Sequence, residues 1–241
     1  MRKIVAIDCF PESIQFYQGD YAFVAVDIIR ATTTAVTCVA LGRKCFPVPS
    51  VDAAHSLAAT LTDPLLVGEV GGLMPRGFHL NNSPADLELR KDIYRPMIHV
   101  SSSGTRLICG VGEFQPMYVA CLRNYSAQVA HLAAHHPKVA LIGAGSKGEF
   151  REEDQLGCAW IAEGLLTAGY EPENAQTAAI IKRWSGMPVE VIADGPSAAY
   201  LRKTGQWRDL EFILAHIDDL NEVYQFKQGQ VVKHSAELLP R

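Results

Sequence analysis

Short apolar runs rich in Val, Ile and Ala recur along the chain, and most of them end in a polar or glycine-rich loop that leads into a helical pattern. The clearest run covers residues 21–26, and the helical pattern after it stops at Gly42. This alternation predicts βα units. Because nearly every position of these runs is apolar, we expect a sheet covered on both faces. The pattern therefore predicts an α/β protein with three layers, α/β/α, around a largely parallel or mixed central sheet.

Three further units repeat the pattern. Their strands begin near Met97, Met117 and Lys138, and the last two lead into helices ending at about His135 and Leu166. The stretch 65–84 has the glycines and prolines of a shaped loop. No repeat of fixed period is present, and the linker candidate at 169–176 is short. We therefore predict a single domain over residues 1–241, in which the part after about residue 170 consists of added helices.

Composition narrows the function classes. Hydrophobic residues make up 48% of the 241 residues, enough for a substantial core, and the formal net charge is −4. A net negative chain has no overall positive field, which argues against nucleic acid and an anionic membrane as partners. No apolar run reaches the ~18 residues of a membrane span, and Asp8 comes too early for a signal peptide. We expect a cytoplasmic protein, and its six scattered cysteines are expected to be reduced and buried rather than catalytic.

Polar residues gather where the predicted strands end, and this is the edge at which open α/β sheets bind ligands. The groups, in chain order, are Asp27, Arg30, Thr32, Thr33 and Thr34; Glu69; Ser101, Ser102, Ser103 and Thr105; Asn124; and Lys147 with Glu152, Glu153 and Asp154. We therefore predict one site at this edge.

The loops 27–34 and 101–106 carry the donors that a phosphate requires. Hydroxyl groups and an arginine are present in both, and the second loop adds a glycine. Ser and Thr at helix starts also act as helix caps, which is the alternative explanation for each loop alone. Two such loops in one sheet favour a site for a small anionic phosphorylated metabolite.

Asp27 follows its strand directly, a position from which a carboxylate can hold Mg²⁺ or attack phosphorus. Glu69 and Asp154 can complete a magnesium site together with water. The alternatives are that Asp27 pairs with Arg30, that Glu69 is a solvated loop acid, and that Asp154 favours the positive end of the following helix. His79 and His99 are candidate proton carriers.

Gly143-x-Gly145-x-x-Gly148 matches the dinucleotide fingerprint after a strand, so a nucleotide-dependent oxidoreductase or transferase is the rival hypothesis. It is weakened because residues 171–181 show no obvious second strand that ends in an acid. We expect Gly145 and Lys147 to form part of an anion cradle. A non-catalytic anion-binding module is a third hypothesis, and the sequence leaves a homo-oligomer open.

The run of residues 27–34, Asp-Ile-Ile-Arg-Ala-Thr-Thr-Thr, resembles the Asp-Val-Leu-Arg-Ala-Thr-Thr-Thr signature of the 2-phosphosulfolactate phosphatase family. Other family features follow in order over residues 20–168: Gly68-Glu69, Gly72, Gly77-Phe78, Asn82-Ser83-Pro84, Gly104-Thr105-Arg106, Asn124, Ala144-Gly145, Gly148-x-Phe150 and Glu153-Asp154. The chain departs from the family at Asn81, where Gly is usual, and at Ser103, where Asn is usual. A related small acidic phosphomonoester is therefore also open as the substrate.

The resemblance implies a magnesium-dependent hydrolase that converts 2-phospho-3-sulfolactate to 3-sulfolactate and phosphate, a step toward coenzyme M. Phosphate, carboxylate and sulfonate on one substrate would explain the arginines at 30, 106 and 76, or Lys147, in an acidic protein. Together with the strand-end pattern, the resemblance implies that Asp27, Arg30 and Arg106 are catalytic residues. It also implies that Asp27, Glu69 and Asp154 are ligands of Mg²⁺. The expected substrate-binding residues are Thr32, Thr33, Asn82, Ser83, Ser102, Ser103, Gly104, Thr105, Asn124, Gly145 and Lys147.

Overall fold

The computed structural model describes residues 2–17, 19–111, 115–146 and 148–234. The strands in these ranges are β1 Ile4–Asp8, β2 Ala22–Val26, β3 Cys45–Pro47, β4 Leu65–Gly68, β5 Met97–Val100, β6 Met117–Ala120, β7 Lys138–Gly143, β8 Glu171–Pro172, β9 Tyr224–Lys227 and β10 Gln230–Lys233. The helices are α1 Ala31–Ala40, α2 Val51–Ala58, α3 Pro84–Glu88, α4 Gly104–Ile108, α5 Tyr125–His135, α6 Glu152–Thr167, α7 Ala175–Trp184, α8 Pro196–Lys203 and α9 Trp207–Ala215, with 3-10 helices at Pro11–Phe16 and Val189–Asp194.

All of these strands belong to one mixed sheet, in the order β4-β5-β3-β10-β9-β6-β2-β7-β1-β8. Two groups of strands are internally parallel: β4-β5-β3 and β6-β2-β7-β1-β8. The hairpin β9-β10 lies between them and pairs antiparallel with β6 on one side and β3 on the other. The last strands of the chain therefore join two parallel half-sheets into a single one.

The prediction that the C-terminal part consists of added helices is wrong for residues 224–233, which form this hairpin. Gln228 and Gly229 both have positive φ, at 50° and 77°, as a two-residue hairpin turn requires. Glycine at the second turn position adopts this backbone without steric cost. Helices α7, α8 and α9 do form in the preceding stretch.

The predicted α/β fold class is confirmed, and the burial of the central strands explains the layers. All five residues of β2 are completely buried, which requires cover on both faces of the sheet. Helix α6 packs against α5 and α7 over β1 and β7, and α1 packs against α3 and α4. Within the described ranges, no helix is both long and apolar enough to cross a membrane. The six cysteines are free, as expected, and five of them are buried.

A cluster of histidines surrounds Tyr118 at the start of β6. The Tyr118 hydroxyl lies 2.8 Å from Nε2 of both His131 and His136, and the rings of His135 and His234 complete the cluster. Burial, followed by the charges of His234, His135 and His136, lowers the pKa of His131 to about 4, and burial also lowers the pKa of His136. The folded state therefore favours neutral rings at the point where α5 meets the last strand.

We predict that the contribution of this histidine cluster to the free energy of unfolding is lost as the pH falls from about 6.5 toward 4. In this window the histidines bind protons in the unfolded chain but stay neutral in the folded cluster, because their pKa values in the folded state lie below the ordinary value. The loss is expected to be on the order of 1 kcal/mol for His131 after solvent screening. Urea unfolding at a series of pH values measures it. The free energy of unfolding of the wild type, taken relative to that of His131→Gln, should fall by this amount over the window, and a difference that does not change with pH would contradict the assignment.

Candidate active site

A cavity of about 950 Å³ is lined by residues of the loops that follow β2, β4, β5 and β7. Strands β2 and β7 belong to one half-sheet, and β4 and β5 to the other, which runs in the opposite direction. The side chains predicted for the site that line it are Asp27, Arg30, Glu69, Asn82, Ser102, Ser103, Arg106, Gly145 and Asp154. The structure therefore brings residues from distant parts of the chain together at one place. Their individual roles stay predictions.

Asp27 is held at the floor of the cavity by its own loop. Its Oδ1 accepts the backbone N–H of Ala31 at 3.0 Å, while its N–H donates to Thr32 Oγ1 at 2.9 Å. Its Oδ2 accepts no hydrogen bond from any described residue. Gly104 abuts this oxygen so closely that an added Cβ would lie 2.2 Å from it. The loop therefore fixes one carboxylate oxygen and leaves the other for a ligand.

Three further carboxyl groups lie close to Asp27. Burial, then the charges of Glu69 and Glu153, raise the pKa of Asp27 to about 7. Burial, then the charges of Asp27 and Glu153, raise the pKa of Asp154 well above its usual value. Burial raises the pKa of Glu153, and its Oε1 has no hydrogen-bond partner. A buried group of acids of this kind is stabilised by a bound cation.

The donor atoms fit a hard cation such as Mg²⁺ only in part. Both oxygens of Glu69 are already bonded, Oε1 to the N–H of Ser102 at 2.7 Å and Oε2 to the N–H of Gly72 at 2.6 Å. Asp154 accepts the N–H groups of Ile28 and Gly145 at 2.8 and 3.3 Å. Over the described ranges, no three His, Cys, Asp or Glu side chains are arranged to hold a metal ion. The available ligand is Asp27 Oδ2, which suits Mg²⁺ because this ion is usually held by one or two carboxylates with water and phosphate oxygens.

The two predicted arginines differ in how firmly they are held. Arg30 is buried, and its Nη1 pairs with Asp209 on α9; its other guanidinium nitrogens donate to none of the described residues. Arg106 is exposed, with its nearest carboxylate, Glu12, at 4.0 Å. Arg30 therefore presents donors to the cavity in a fixed position, whereas Arg106 is free to close on a bound anion. The sequence left open a pair between Arg30 and Asp27, but in the structure Arg30 pairs with Asp209 instead.

Asp209 is a site residue that the sequence analysis missed. It is 2% exposed, and its second oxygen accepts the Ser83 hydroxyl at 2.6 Å and the N–H of Ala85 at 3.2 Å. Asp209 thus links Arg30 to the loop that carries Asn82 and Ser83. The sequence does contain a feature that could have identified it: the spacing of Asp209, Phe212 and Ile213 places an acid on the apolar face of a helix, where an acid is expected to have a partner.

Other predicted substrate-binding residues lie beneath the cavity and shape its loops. The hydroxyl of Thr33 donates to the Ile28 carbonyl at 2.8 Å, and the N–H of Thr105 donates to Ser101 Oγ at 2.9 Å. Asn124 Oδ1 accepts the N–H of Cys121 at 3.0 Å. These contacts order the loops and are not helix caps, since the N-cap residues of α1, α4 and α5 make no side-chain cap hydrogen bond in the described structure. The predicted residues that do not line the cavity are Thr32, Thr33, Ser83, Gly104, Thr105 and Asn124.

The glycine-rich loop after β7 is a tight turn. Ser146 and Glu149 exchange backbone hydrogen bonds of 2.8 and 3.0 Å, and the N–H of Gly145 donates to Asp154. These N–H groups are engaged rather than presented to a pyrophosphate, and β8 after α6 has only two residues. Both observations disfavour the dinucleotide hypothesis. Lys147 lies outside the described residues.

Neither candidate proton carrier reaches the cavity. His79 Nδ1 accepts the N–H of Leu66 at 2.9 Å and is a structural contact of β4. His99 is completely buried in β5, where burial, followed by the charge of Arg30, lowers its pKa to about 3. A histidine that stays neutral and out of reach of solvent does not shuttle protons at neutral pH.

The C-terminal part of the chain also supplies a wall of the cavity. Ser197, Tyr200 and Leu201 of α8 line it, and the Tyr200 hydroxyl donates to the Gly72 carbonyl at 2.7 Å. Arg151, just before α6, lines it as well. The sequence analysis did not select these residues because they do not directly follow a central strand.

Known proteins with similar sequences carry one common name. A probable 2-phosphosulfolactate phosphatase of Deinococcus radiodurans is 30% identical over 211 residues, covering 86% of each chain. A protein of the same name from Carboxydothermus hydrogenoformans is 29% identical, and the match covers 95% of this chain and 96% of the relative. Another, from Pseudothermotoga lettingae, is 37% identical over 55% of this chain and 57% of the relative. The family model described as 2-phosphosulpholactate phosphatase matches residues 9–229. The chain belongs to the 2-phosphosulpholactate phosphatase family.

Proposed function

We propose that the protein is a phosphatase that hydrolyses 2-phospho-3-sulfolactate to 3-sulfolactate and inorganic phosphate, with Mg²⁺ as its cofactor. The observation that carries the proposal is the convergence of Asp27, Glu69, Arg30 and Arg106 on one cavity, in a chain that belongs to this family. A place on a route to coenzyme M and a cytoplasmic location rest on the resemblance and composition alone and are part of the same proposal.

The charge of the cavity supports the cofactor. Four acids line it, Glu12, Asp27, Glu69 and Asp154, against three described arginines, and Asp209 neutralises one of these. A substrate with phosphate, carboxylate and sulfonate groups would be repelled by so acidic a cavity. A cation on Asp27 Oδ2, completed by water and phosphoryl oxygens, would reverse that repulsion. Bound there, Mg²⁺ would neutralise charge on the phosphoryl group.

The chain's own residues have separable tasks in this reaction. Arg30 and Arg106 donate to non-bridging phosphoryl oxygens, where two guanidinium groups stabilise the charge of the transition state. A nucleophilic oxygen forms a new bond to phosphorus while the bond from phosphorus to the C2 oxygen of the substrate breaks. The C2 oxygen leaves as the hydroxyl of 3-sulfolactate, taking up a proton that the attacking water releases or, where Asp27 attacks, a proton from solvent.

Two routes remain open for the nucleophile. In one, water attacks and phosphate is released directly. In the other, Asp27 attacks to give an aspartyl phosphate, and water then cleaves that intermediate. Rapid quenching with radiolabelled phosphoryl substrate separates them, because only the second route leaves label on the protein.

A panel of phosphomonoesters tests the activity and the cofactor together. We expect phosphate release from 2-phosphosulfolactate with Mg²⁺ and none after chelation. Release from 2-phospholactate, which lacks the sulfonate, should be roughly 10–100-fold slower in kcat/KM, since a charge-assisted contact is lost. Tight nicotinamide binding without phosphate release would favour the dinucleotide hypothesis, and phosphomonoester binding without turnover would favour an anion-binding module.

Asp27→Asn should lower kcat by at least about a hundredfold by either route, because the reacting carboxylate is lost while the shape is kept. Steady-state phosphate release measures this. Asp52→Asn on α2, where the acid is exposed and outside the cavity, is the matched control and should retain the activity. Full activity in the Asp27 variant would remove this carboxylate from the mechanism.

Asp209→Asn should both destabilise the fold and raise KM. It leaves the buried Arg30 without its counter-charge, which costs roughly 3–5 kcal/mol, and it loosens the guanidinium that faces the cavity. Urea unfolding and steady-state kinetics measure the two effects. The control is Asp86→Asn, because Asp86 on α3 and Arg208, the residue before Asp209 on α9, form an exposed pair at 3.8 Å. Asp86→Asn should lower the free energy of unfolding by less than about 1 kcal/mol. Equal losses of stability in the two variants would contradict the special role of Asp209.

A further inference from the structure

Asn82 presents an amide group to the cavity from a backbone that is fixed on both sides. It is 2% exposed and lines the cavity, its N–H donates to Asn81 Oδ1 at 2.7 Å, and the next residue, Ser83, is bonded to Asp209. Its side-chain Nδ2 donates to none of the described residues. This nitrogen therefore carries hydrogen-bond donors that only a group in the cavity can accept.

His99 determines which end of this amide faces the cavity. His99 Nε2 lies 2.9 Å from Asn82 Oδ1, and both residues are buried. Because a carbonyl oxygen only accepts, Nε2 must carry the ring proton and donate it. Nδ1, which has no partner, then carries no proton. With Oδ1 engaged in this way, Nδ2 lies on the other branch of the amide, in a residue that lines the cavity.

The position of His99 in the sheet makes the arrangement rigid. It lies on β5 between β3 and β4, opposite Pro47 and Val67. Burial and the nearby charge of Arg30 keep the ring neutral, with its pKa lowered to about 3. The ring is therefore neutral at neutral pH and carries a single N–H donor.

We propose that His99 is a positioning residue that holds the Asn82 amide with its N–H donors toward the cavity, so that the site selects a ligand group with acceptor oxygens only, such as the phosphoryl group. The inference rests on the proposed function for its substrate but concerns the polarity of one amide. In this orientation the Asn82 amide adds two neutral N–H donors to the cavity beside Arg30. It disfavours ligands that place a hydrogen-bond donor next to Nδ2.

The test uses two amide substitutions that differ in reach. His99→Gln places an N–H near the position of Nε2, whereas His99→Asn places its amide near that of Nδ1 and cannot reach Asn82. We expect KM for 2-phosphosulfolactate to rise about 10–100-fold in His99→Asn, and less than about threefold in His99→Gln. Because the contact binds substrate and transition state alike, kcat should change little. An unchanged KM in His99→Asn would overturn the proposal.

Coupling to Asn82 distinguishes positioning from a purely structural role. In an Asn82→Ala background, His99→Asn should raise KM less than about twofold further, because the amide it orients is gone. An equal rise in both backgrounds would show that His99 does not act through Asn82. Asn82→Asp tests the polarity without altering His99: it puts an acceptor where Nδ2 stood and should weaken anion binding more than Asn82→Ala does. Binding as tight as that of the wild type would contradict the proposal.

Calorimetric titration with inorganic phosphate and Mg²⁺, applied to the same variants, separates this inference from the proposed function. If the wild type binds phosphate but does not hydrolyse the substrate, the proposed activity fails. The role of His99 is then decided by whether the phosphate Kd shows the same coupling to Asn82.

Discussion

The buried ion pair between Arg30 and Asp209 connects the parts of the chain on which the cavity depends. Arg30 belongs to the loop after β2, and Asp209 lies on α9, nearly 180 residues later in the chain. Through its second oxygen Asp209 also holds Ser83, and so the segment that carries Asn82. A buried pair is expensive to desolvate and very expensive to break, so it ties these segments together more strictly than a surface contact would.

Around this pair the site has an unusual balance of charge for a protein that binds an anion. Asp27, Asp154 and Glu153 are buried near one another, and their raised pKa values express the cost of holding several carboxylates together. That cost is reduced when a cation binds. In the proposed function, the same cation would offset the repulsion between these acids and a phosphorylated substrate, so we propose that cofactor and substrate bind cooperatively.

Much of the fold was predictable because the strands β2, β5, β6 and β7 are continuous apolar runs followed by recognisable helix starts. The residues after β2 and β7 were found for the same reason, since parallel strands bring their carboxyl ends to one edge. Those after β4 and β5, in the half-sheet that runs in the opposite direction, were found although this rule does not apply to them. Asp209, Tyr200 and the hairpin β9-β10 were not, because their positions depend on how distant segments pack. His99 is instructive: its residue type suggested proton transfer, whereas only its burial and its contact with Asn82 reveal a positioning role.

The most direct test of the account is a crystal structure of the protein with Mn²⁺ in place of Mg²⁺ and with orthovanadate as a phosphoryl mimic, the metal being located by its anomalous scattering. The account predicts Mn²⁺ on Asp27, with vanadate oxygens in contact with both the metal and the guanidinium of Arg30. Metal and vanadate bound away from Asp27, or no binding of either in the cavity, would contradict it.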